Sequence, residues 1–439
     1  MKVVKFGGSS LSDAGQFKKV KEIIMAEPEK RCYIIPSAPG KRFSEDVKVT
    51  DMLYSAYENY HKNHDEFKIL FNTIKERYNG IISELALPFS LEDEFIKIEH
   101  MFNGRAGKDF AASRGEYLNG MILASYLDYP YIDAAEVIYF NDDGTFDSER
   151  TNSALRNVLL NYKTAVIPGF YGSRPDDSIK TFSRGGSDVT GSIVARAIDA
   201  DIYENWTDVS GFLAADPRIV SSPSPIDIIT YRELRELSYM GATVLHEDAI
   251  FPVRKSKIPI NIKNTNDPNA SGTMIVDKWD SISDNIITGI AGKKGFTFIN
   301  IEKAMMNQEI GFGRKVLEIL ENHGISFEHL PSGIDTMSVI IPTDSIVNVK
   351  DSLKAEIIKK VDADNVEFEE GIALIAIVGH GMQKAKGTAA KIFTSISSED
   401  INIRMIDQGS SELNIIIGVE ESDFEKAVKS IYRSFFVHD

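Results

Sequence analysis

The sequence predicts an α/β sandwich built on a mainly parallel sheet, followed by a smaller α/β unit that occurs twice. Strand-like runs alternate with helical stretches through the first two thirds of the chain. The composition then shifts near Asp280, and beyond that point the apolar pattern repeats at a fixed interval. A length of 439 residues exceeds one ordinary domain, and 43% apolar with 26% charged residues is the balance of a well-cored globular protein.

Lys2–Phe6 reads as a buried strand turned by Gly7-Gly8-Ser9-Ser10, and Arg31–Ile35 as a second strand running into Pro36-Ser37-Ala38-Pro39-Gly40. From about residue 52 to 125 the pattern is helical, with Phe67, Phe71, Ile74, Tyr78 and Ile82 at three- and four-residue steps. Strands are expected again at Ala165–Ile167, Thr181–Phe182 and Asp201–Trp206, with a helix over Val189–Ala200. In the C-terminal third, Phe296, Phe298, Ile299 and Ile301 correspond to Ile372, Leu374, Ile375 and Ile377. Val316, Leu317 and Leu320 correspond to Ile392, Phe393 and Ile396, and Val339-Ile340-Ile341 to Ile415-Ile416-Ile417. Every pair lies 76 residues apart. One strand–helix–strand–strand unit is therefore present twice, the mark of stacked modules that bury each other's faces.

A formal charge of −16 argues against nucleic acid or an anionic membrane as the main partner. If the substrates are anionic, cations must be concentrated locally against that field. The single cysteine, Cys32, leaves no disulfide framework, and Met1 leads straight into a strand with no basic-then-apolar leader, so a reducing cytoplasm is the expected location. Apolar runs such as Ile372–Val378 are too short to span a bilayer. No Gly-x-x-x-x-Gly-Lys-Ser/Thr loop, His-Glu-x-x-His or Cys-x-x-Cys occurs, and Gly311-Phe312-Gly313 lacks the spaced third glycine of a dinucleotide loop.

Three clusters carry chemistry. Lys5-Phe6-Gly7-Gly8-Ser9-Ser10 closes a strand; paired glycines let backbone N–H groups approach a phosphate, and the lysine adds a point charge. Ser183-Arg184-Gly185-Gly186-Ser187-Asp188 opens a helix, where an arginine beside two glycines can fork onto a carboxylate; Asp188 alone reads equally as an N-cap. Thr207-Asp208-Val209-Ser210-Gly211 and Ala215-Asp216-Pro217-Arg218 are explicable as turns, with Arg218 the residue suited to an anionic ligand.

Taken in order, Lys-Phe-Gly-Gly-Ser-Ser, Arg-Gly-Gly-Ser-Asp and Trp-Thr-Asp-Val…Asp-Pro-Arg resemble the aspartokinases of the amino-acid kinase superfamily. Val49-Thr50-Asp51, Ser113-Arg114-Gly115-Glu116, Pro168-Gly169-Phe170-Tyr171-Gly172 and Gly241-Ala242-Thr243-Val244-Leu245-His246 extend the likeness along essentially the whole chain, and the 76-residue repeat looks like that family's paired ACT domains. The resemblance implies an amino-acid-kinase-type three-layer sandwich over 1–285, then two ferredoxin-like (βαββαβ) ACT repeats, at 286–367 with a linker strand and at 368–439. Segment Asn285–Ala291 is expected to complete the second repeat's sheet, because the family interleaves its modules.

The resemblance further implies phosphorylation of L-aspartate by ATP, with Mg2+ arriving on the nucleotide and no metal held by the protein. Lys5 and Asp188 would be catalytic. Lys5, Gly7, Gly8, Thr207, Asp208 and Arg218 would hold the nucleotide, and Thr50, Glu116, Phe170, Arg184 and Ser187 the aspartate. Leu213 and Thr243 lie on the nucleotide side, where the family usually has tyrosine and lysine, and Ser183 replaces a usual glycine. Met306, Glu309, Phe312, Gly313, Ser326, Phe327 and Glu328 match the family's effector pocket, with lysine or threonine as effector and a homodimer or dimer of dimers through the ACT repeats. A sibling carboxylate kinase or a non-catalytic amino-acid-sensing subunit are the alternatives. The latter conflicts with the presence of Lys5, Glu116, Arg184 and Asp188, and fusion to a homoserine dehydrogenase is not expected because no dinucleotide-binding segment occurs.

Overall fold

The computed structural model describes residues 1–104, 106–183, 185–242, 251–278 and 285–437. The chain divides into two compact units: Met1–Phe212, Ile226–Tyr231 and Val244–Trp279 form the first, and Leu213–Pro225, Arg232–Thr243 and Asp280–Asp439 the second.

In the first unit the chain runs β1 (Lys2–Phe6), α1 (Ala14–Ala26), β2 (Arg31–Pro36), α2 (Val49–Tyr60), α3 (His64–Glu84), α4 (Glu92–Asn103), α5 (Lys108–Leu127), α6 (Ala134–Val137) and α7 (Ser148–Leu159). It continues with β3 (Ala165–Val166), β4 (Tyr171–Ser173), β5 (Ile179–Thr181), α8 (Gly186–Ala197) and β6 (Ile202–Thr207). After β7 (Phe212–Leu213) and β8 (Pro225–Ile226) come β9 (Ile228–Thr230), α9 (Tyr231–Tyr239), which from Arg232 onward belongs to the second unit, α10 (Phe251–Lys255), β10 (Ile260–Asn264) and β11 (Thr273–Val276). A seven-stranded sheet in the order β3-β2-β1-β6-β10-β11-β9 is parallel throughout except for the β10–β11 pair. Every residue of β2 is buried, as is β1 from Val3 to Phe6, because a parallel sheet is covered on both faces.

Residues 49–127 supply the expected helices, and the predicted stripe of α3, from Phe67 to Ile82, enters one core with Phe95, Phe102 and Leu53. Asn63 starts α3 by accepting from the Glu66 N–H, and Asp13 caps α1 through the Gln16 N–H. The strand expected at Thr181–Phe182 is instead Ile179–Thr181, paired with β4 in a hairpin outside the main sheet. The hairpin turn at Pro175-Asp176-Asp177-Ser178 pairs residues too close in sequence for a crossover strand, and Asp177 takes a left-handed φ of 62°.

The repeat is structural in the second unit. β12 (Gly289–Glu302) and β14 (Asn365–Val378) are strands of equal length offset by 76 residues. α11 (Phe312–Asn322), β13 (Thr336–Pro342) and α12 (Lys350–Val361) of the first copy answer to α13 (Thr388–Ser397), β16 (Asn414–Glu420) and α14 (Phe424–Phe436) of the second. β15 (Met405–Asp407) has as its counterpart only the isolated bridges of His329 with Ile340 and Ser332 with Met337. β12 and β14 pair antiparallel along their lengths, so that the Gly289–Val378 pair maps onto Asn365–Glu302 under the 76-residue shift. Gly289–Lys293 thus lies beside the half of β14 that carries β16, and Phe296–Glu302 beside β13. Each copy borrows a strand end from the other, in a five-stranded sheet ordered β13-β12-β14-β16-β15. Among the described residues no helix is long and apolar enough to cross a membrane.

Candidate active site

The first unit collects its glycine-rich turns at the carboxyl ends of its parallel strands, where open α/β sheets offer a crevice. Backbone bonds tie these turns together. The Gly7 N–H donates to the Trp206 carbonyl at 2.9 Å, Ser37 to Phe6 at 3.0 Å, Gly40 to Gly8 at 2.8 Å and Gly169 to Pro36 at 3.1 Å. A Cβ on Gly8 would stand 2.8 Å from the Ala38 carbonyl oxygen, so only glycine allows the 38–40 loop to close on the first turn. Because the Gly7 N–H is already bonded, what Gly7 offers a ligand is the missing side chain: a Cβ there would lie 3.5 Å from the Lys5 Nζ.

Lys5 is 7% exposed, and its ammonium meets Asp188 Oδ1 at 2.5 Å and Asn205 Oδ1 at 3.3 Å. Asn205 Nδ2 donates to the same Asp188 oxygen at 3.0 Å. Asp188 is therefore no N-cap. Gly185, at φ 56°, occupies the cap of α8, and the Asp188 side chain turns from the first helical turn toward β1 and β6.

Glu116 projects from α5, a helix buried along most of its length. Its carboxylate is 6% exposed, and its Oε2 has no hydrogen-bond partner among the described residues. Burial pushes its pKa up to about 8, although a backbone bond from Ala38 and the charge of Arg114 oppose the rise. The Thr50 Oγ1 lies 3.7 Å from where a Cβ on Gly115 would be, which sets Thr50 beside the Gly115–Glu116 turn of α5. Phe170 adopts a φ of 82°, its N–H donates to Thr190 Oγ1 at 3.0 Å, and its ring would clash with any side chain at Gly186. Gly169 packs against Ser187 in the same way, so Phe170 and Ser187 share one wall. Thr207 closes β6 with its hydroxyl 3.2 Å from the exposed carboxylate of Asp208.

Arg184 and Thr243 lie outside the described residues. Leu213 and Arg218 belong to the second unit, where the exposed Arg218 guanidinium pairs with Asp216 at 2.6 Å. In that unit Met306 and Phe312 sit in the hydrophobic core of the first repeat rather than on its surface. Glu309 is held by Lys303 at 2.7 Å and Lys315 at 2.6 Å. Gly313 faces Met337, Ser326 and Phe327 are exposed, and the Glu328 N–H donates to the Ile340 carbonyl. Asn205, Ala38 and Thr190 are not among the site residues expected from the sequence. For Asn205 a signal existed: Glu-Asn within the buried strand Ile202–Thr207 is a polar pair that must find partners.

Comparison with known proteins fits this frame. Residues 1–264 match the model of the amino acid kinase family, and residues 375–435 that of an ACT domain. Fold and site thus define a phosphotransferase-type α/β sandwich joined to an ACT-bearing unit. Aspartokinase 3 of Bacillus subtilis (strain 168) is 39% identical over 455 residues, covering 99% of both chains. The crystal structure of Clostridium acetobutylicum aspartate kinase is 55% identical, with a TM-score of 0.91 and 99% coverage of each chain. Escherichia coli aspartokinase III, solved with aspartate and ADP in its R-state, is 26% identical, with a TM-score of 0.75 over 99% of this chain and 100% of that one. Its T-state, solved with lysine and aspartate, is 25% identical at the same score, with 99% of each chain covered. The chain belongs to the amino acid kinase family and, within it, to the aspartokinases; its enzyme class is aspartate kinase.

Proposed function

We propose that this chain transfers the γ-phosphoryl group of ATP to the side-chain carboxylate of L-aspartate, giving 4-phospho-L-aspartate and ADP, as the first step toward lysine, threonine and methionine. The observation that carries the reading is Glu116: a buried carboxyl group with one oxygen unbonded among the described residues suits a cationic partner, and an α-ammonium group is one that arrives with the substrate. Thr50, Phe170 and Ser187 line the same pocket, and Arg184 forks onto the α-carboxylate. That leaves the side-chain carboxylate to attack phosphorus as the bond to the ADP oxygen breaks. A carboxylate is ionised at neutral pH, so no general base is needed. Lys5 neutralises charge on the transferring group while Asp188 and the glycine turns position it. Thr207, Asp208, Arg218, Leu213 and Thr243 serve the nucleotide, and Mg2+ enters bound to ATP. The E. coli relative solved with aspartate and ADP supports this choice of substrates.

The second unit, in this reading, holds an end-product amino acid between ACT repeats of paired chains, with Met306, Glu309, Phe312, Gly313, Ser326, Phe327 and Glu328 around it. The E. coli relative solved with lysine makes lysine the first effector to try. The working domain limits are 1–285, 286–367 and 368–439. One coupled assay of ATP consumption across aspartate, glutamate and acetylglutamate, with and without lysine and threonine, tests both halves. Turnover that does not depend on aspartate refutes the substrate assignment.

A further inference from the structure

An amide can do what neither a hydroxyl nor a carboxylate of its size can: accept from a cation at one atom while donating to an anion at the other. Asn205 stands where this matters. Its residue pairs with Lys5 across β1 and β6, and its side chain is 2% exposed. An ammonium only donates and a carboxylate only accepts, so the partners fix the amide's orientation: Oδ1 toward Lys5 at 3.3 Å, Nδ2 toward Asp188 at 3.0 Å. The two charges already touch at 2.5 Å, and the amide adds one further bond to each, so that the pair is held from a third side.

The Lys5 ammonium has three N–H bonds. One meets Asp188 and one meets Asn205, which leaves a third, and Gly7 beside it has no side chain to stand against the ammonium, since a Cβ there would lie 3.5 Å from the Nζ. We infer that Asn205 is a positioning residue for phosphoryl transfer, fixing the rotation of the Lys5 ammonium so that its third N–H faces the transferring group. The amide also holds Asp188 in place when the lysine shifts toward the phosphate. Its amide is taken up by Lys5 and Asp188, so its effect is expressed through Lys5, in kcat rather than in binding. The inference rests on the phosphoryl-transfer reading above but not on the identity of the acceptor.

The test compares wild type with Asn205→Ala, Asn205→Ser and the isosteric Asn205→Asp, reading kcat, both KM values and Tm in each. Asn205→Ala should lower kcat about tenfold with the aspartate KM within about threefold of wild type. Asn205→Asp fills the same space but sets a carboxylate against Asp188 and captures the lysine, so its kcat should fall further. Asn205→Ser, which keeps one small polar group, should fall between wild type and alanine. If alanine does not fold, the serine and aspartate variants decide the matter alone. A kcat within twofold of wild type in the folded variants overturns the inference, as does a loss shared evenly among kcat, both KM values and Tm. Should wild type prefer another carboxylate acceptor, the substrate reading fails, yet the same kcat comparison run with that acceptor still judges Asn205.

Discussion

Glu116→Gln separates binding from stability at one buried carboxyl. The folded pKa stands near 8 against an ordinary 4.5, with burial as the main cause. Between those values the unfolded chain has lost the proton while the folded chain keeps it. The folded state therefore binds more protons, and stability falls as pH rises from about 4.5 to 8, then levels. At pH 7 the gap is worth roughly 3 kcal/mol of lost stability relative to acid conditions. Glutamine fills the same volume and does not titrate, so the variant should melt higher than wild type at pH 7, by about 2–6 °C if one to two thirds of that penalty is recovered.

Aspartate binding moves the other way. About a tenth of the sites are ionised at pH 7 with a pKa near 8, so seating an ammonium group beside Glu116 first costs about 1.4 kcal/mol to remove the proton. The aspartate KM of wild type should then fall as pH is raised from 6 toward 8, by at most about tenfold per unit, with a proton released on binding. In Glu116→Gln the KM should rise by about two orders of magnitude and lose that slope. Scanning calorimetry from pH 5 to 8.5 and aspartate titrations at saturating MgATP give both readings. A variant that melts lower than wild type, or keeps its aspartate KM within threefold, refutes the reasoning.

Lys5→Ala should depress kcat by about 3–4 kcal/mol in activation terms, and a mutant retaining more than about a tenth of wild-type kcat makes Lys5 a structural residue. Arg184→Ala should lower kcat/KM for aspartate by about 2–5 kcal/mol; unchanged steady-state constants would remove it from the clamp. Thr243→Lys should tighten ATP, read as a lower ATP KM, and no change in that KM means the phosphates are held by other groups. Glu328→Ala should raise the lysine concentration for half-inhibition while leaving uninhibited kcat unaltered, and by linkage aspartate should weaken lysine binding in wild type. Full wild-type activity in millimolar lysine and threonine, alone or together, ends the effector assignment.

What could be read from the sequence was what the chain states locally. β2 carries an apolar run from Cys32 to Ile35, and the buried face of α3 is a three-and-four periodicity, each decided within a few residues of backbone, while the 76-residue repeat shows as matching strand patterns. The hairpin of β4 and β5 was misjudged because strands this short carry too few alternations to show a period. The affiliations of residues 213–225 and 232–243 with the second unit could not be read at all, since they depend on bonds over long separations. Ile290 donates to the Ala214 carbonyl, the Tyr432 hydroxyl bonds Ser224, and Glu233 takes both the N–H and the imidazole of His380.

The candidate site divides along the same line. Lys5 stood out as a charge beside a glycine turn, Asp188 alone read equally as an N-cap, and Glu116 came from the likeness to the aspartokinases. Asn205 carries no charge, and its role exists only once β6 lies in register with β1 and the first turn of α8 has swung Asp188 over both. A residue of that kind is defined by three elements that meet in space, so its type in the sequence says that a partner is needed without saying which. The physical demand in β6 was nonetheless written down: Glu204 answers it with Arg31 and Lys2, and Asn205 with Lys5 and Asp188. Of two adjacent polar residues in one buried strand, the one bonded to fixed cations braces the sheet. The one bonded to Lys5 is, in the reading proposed above, the one that positions the group acting on the phosphoryl.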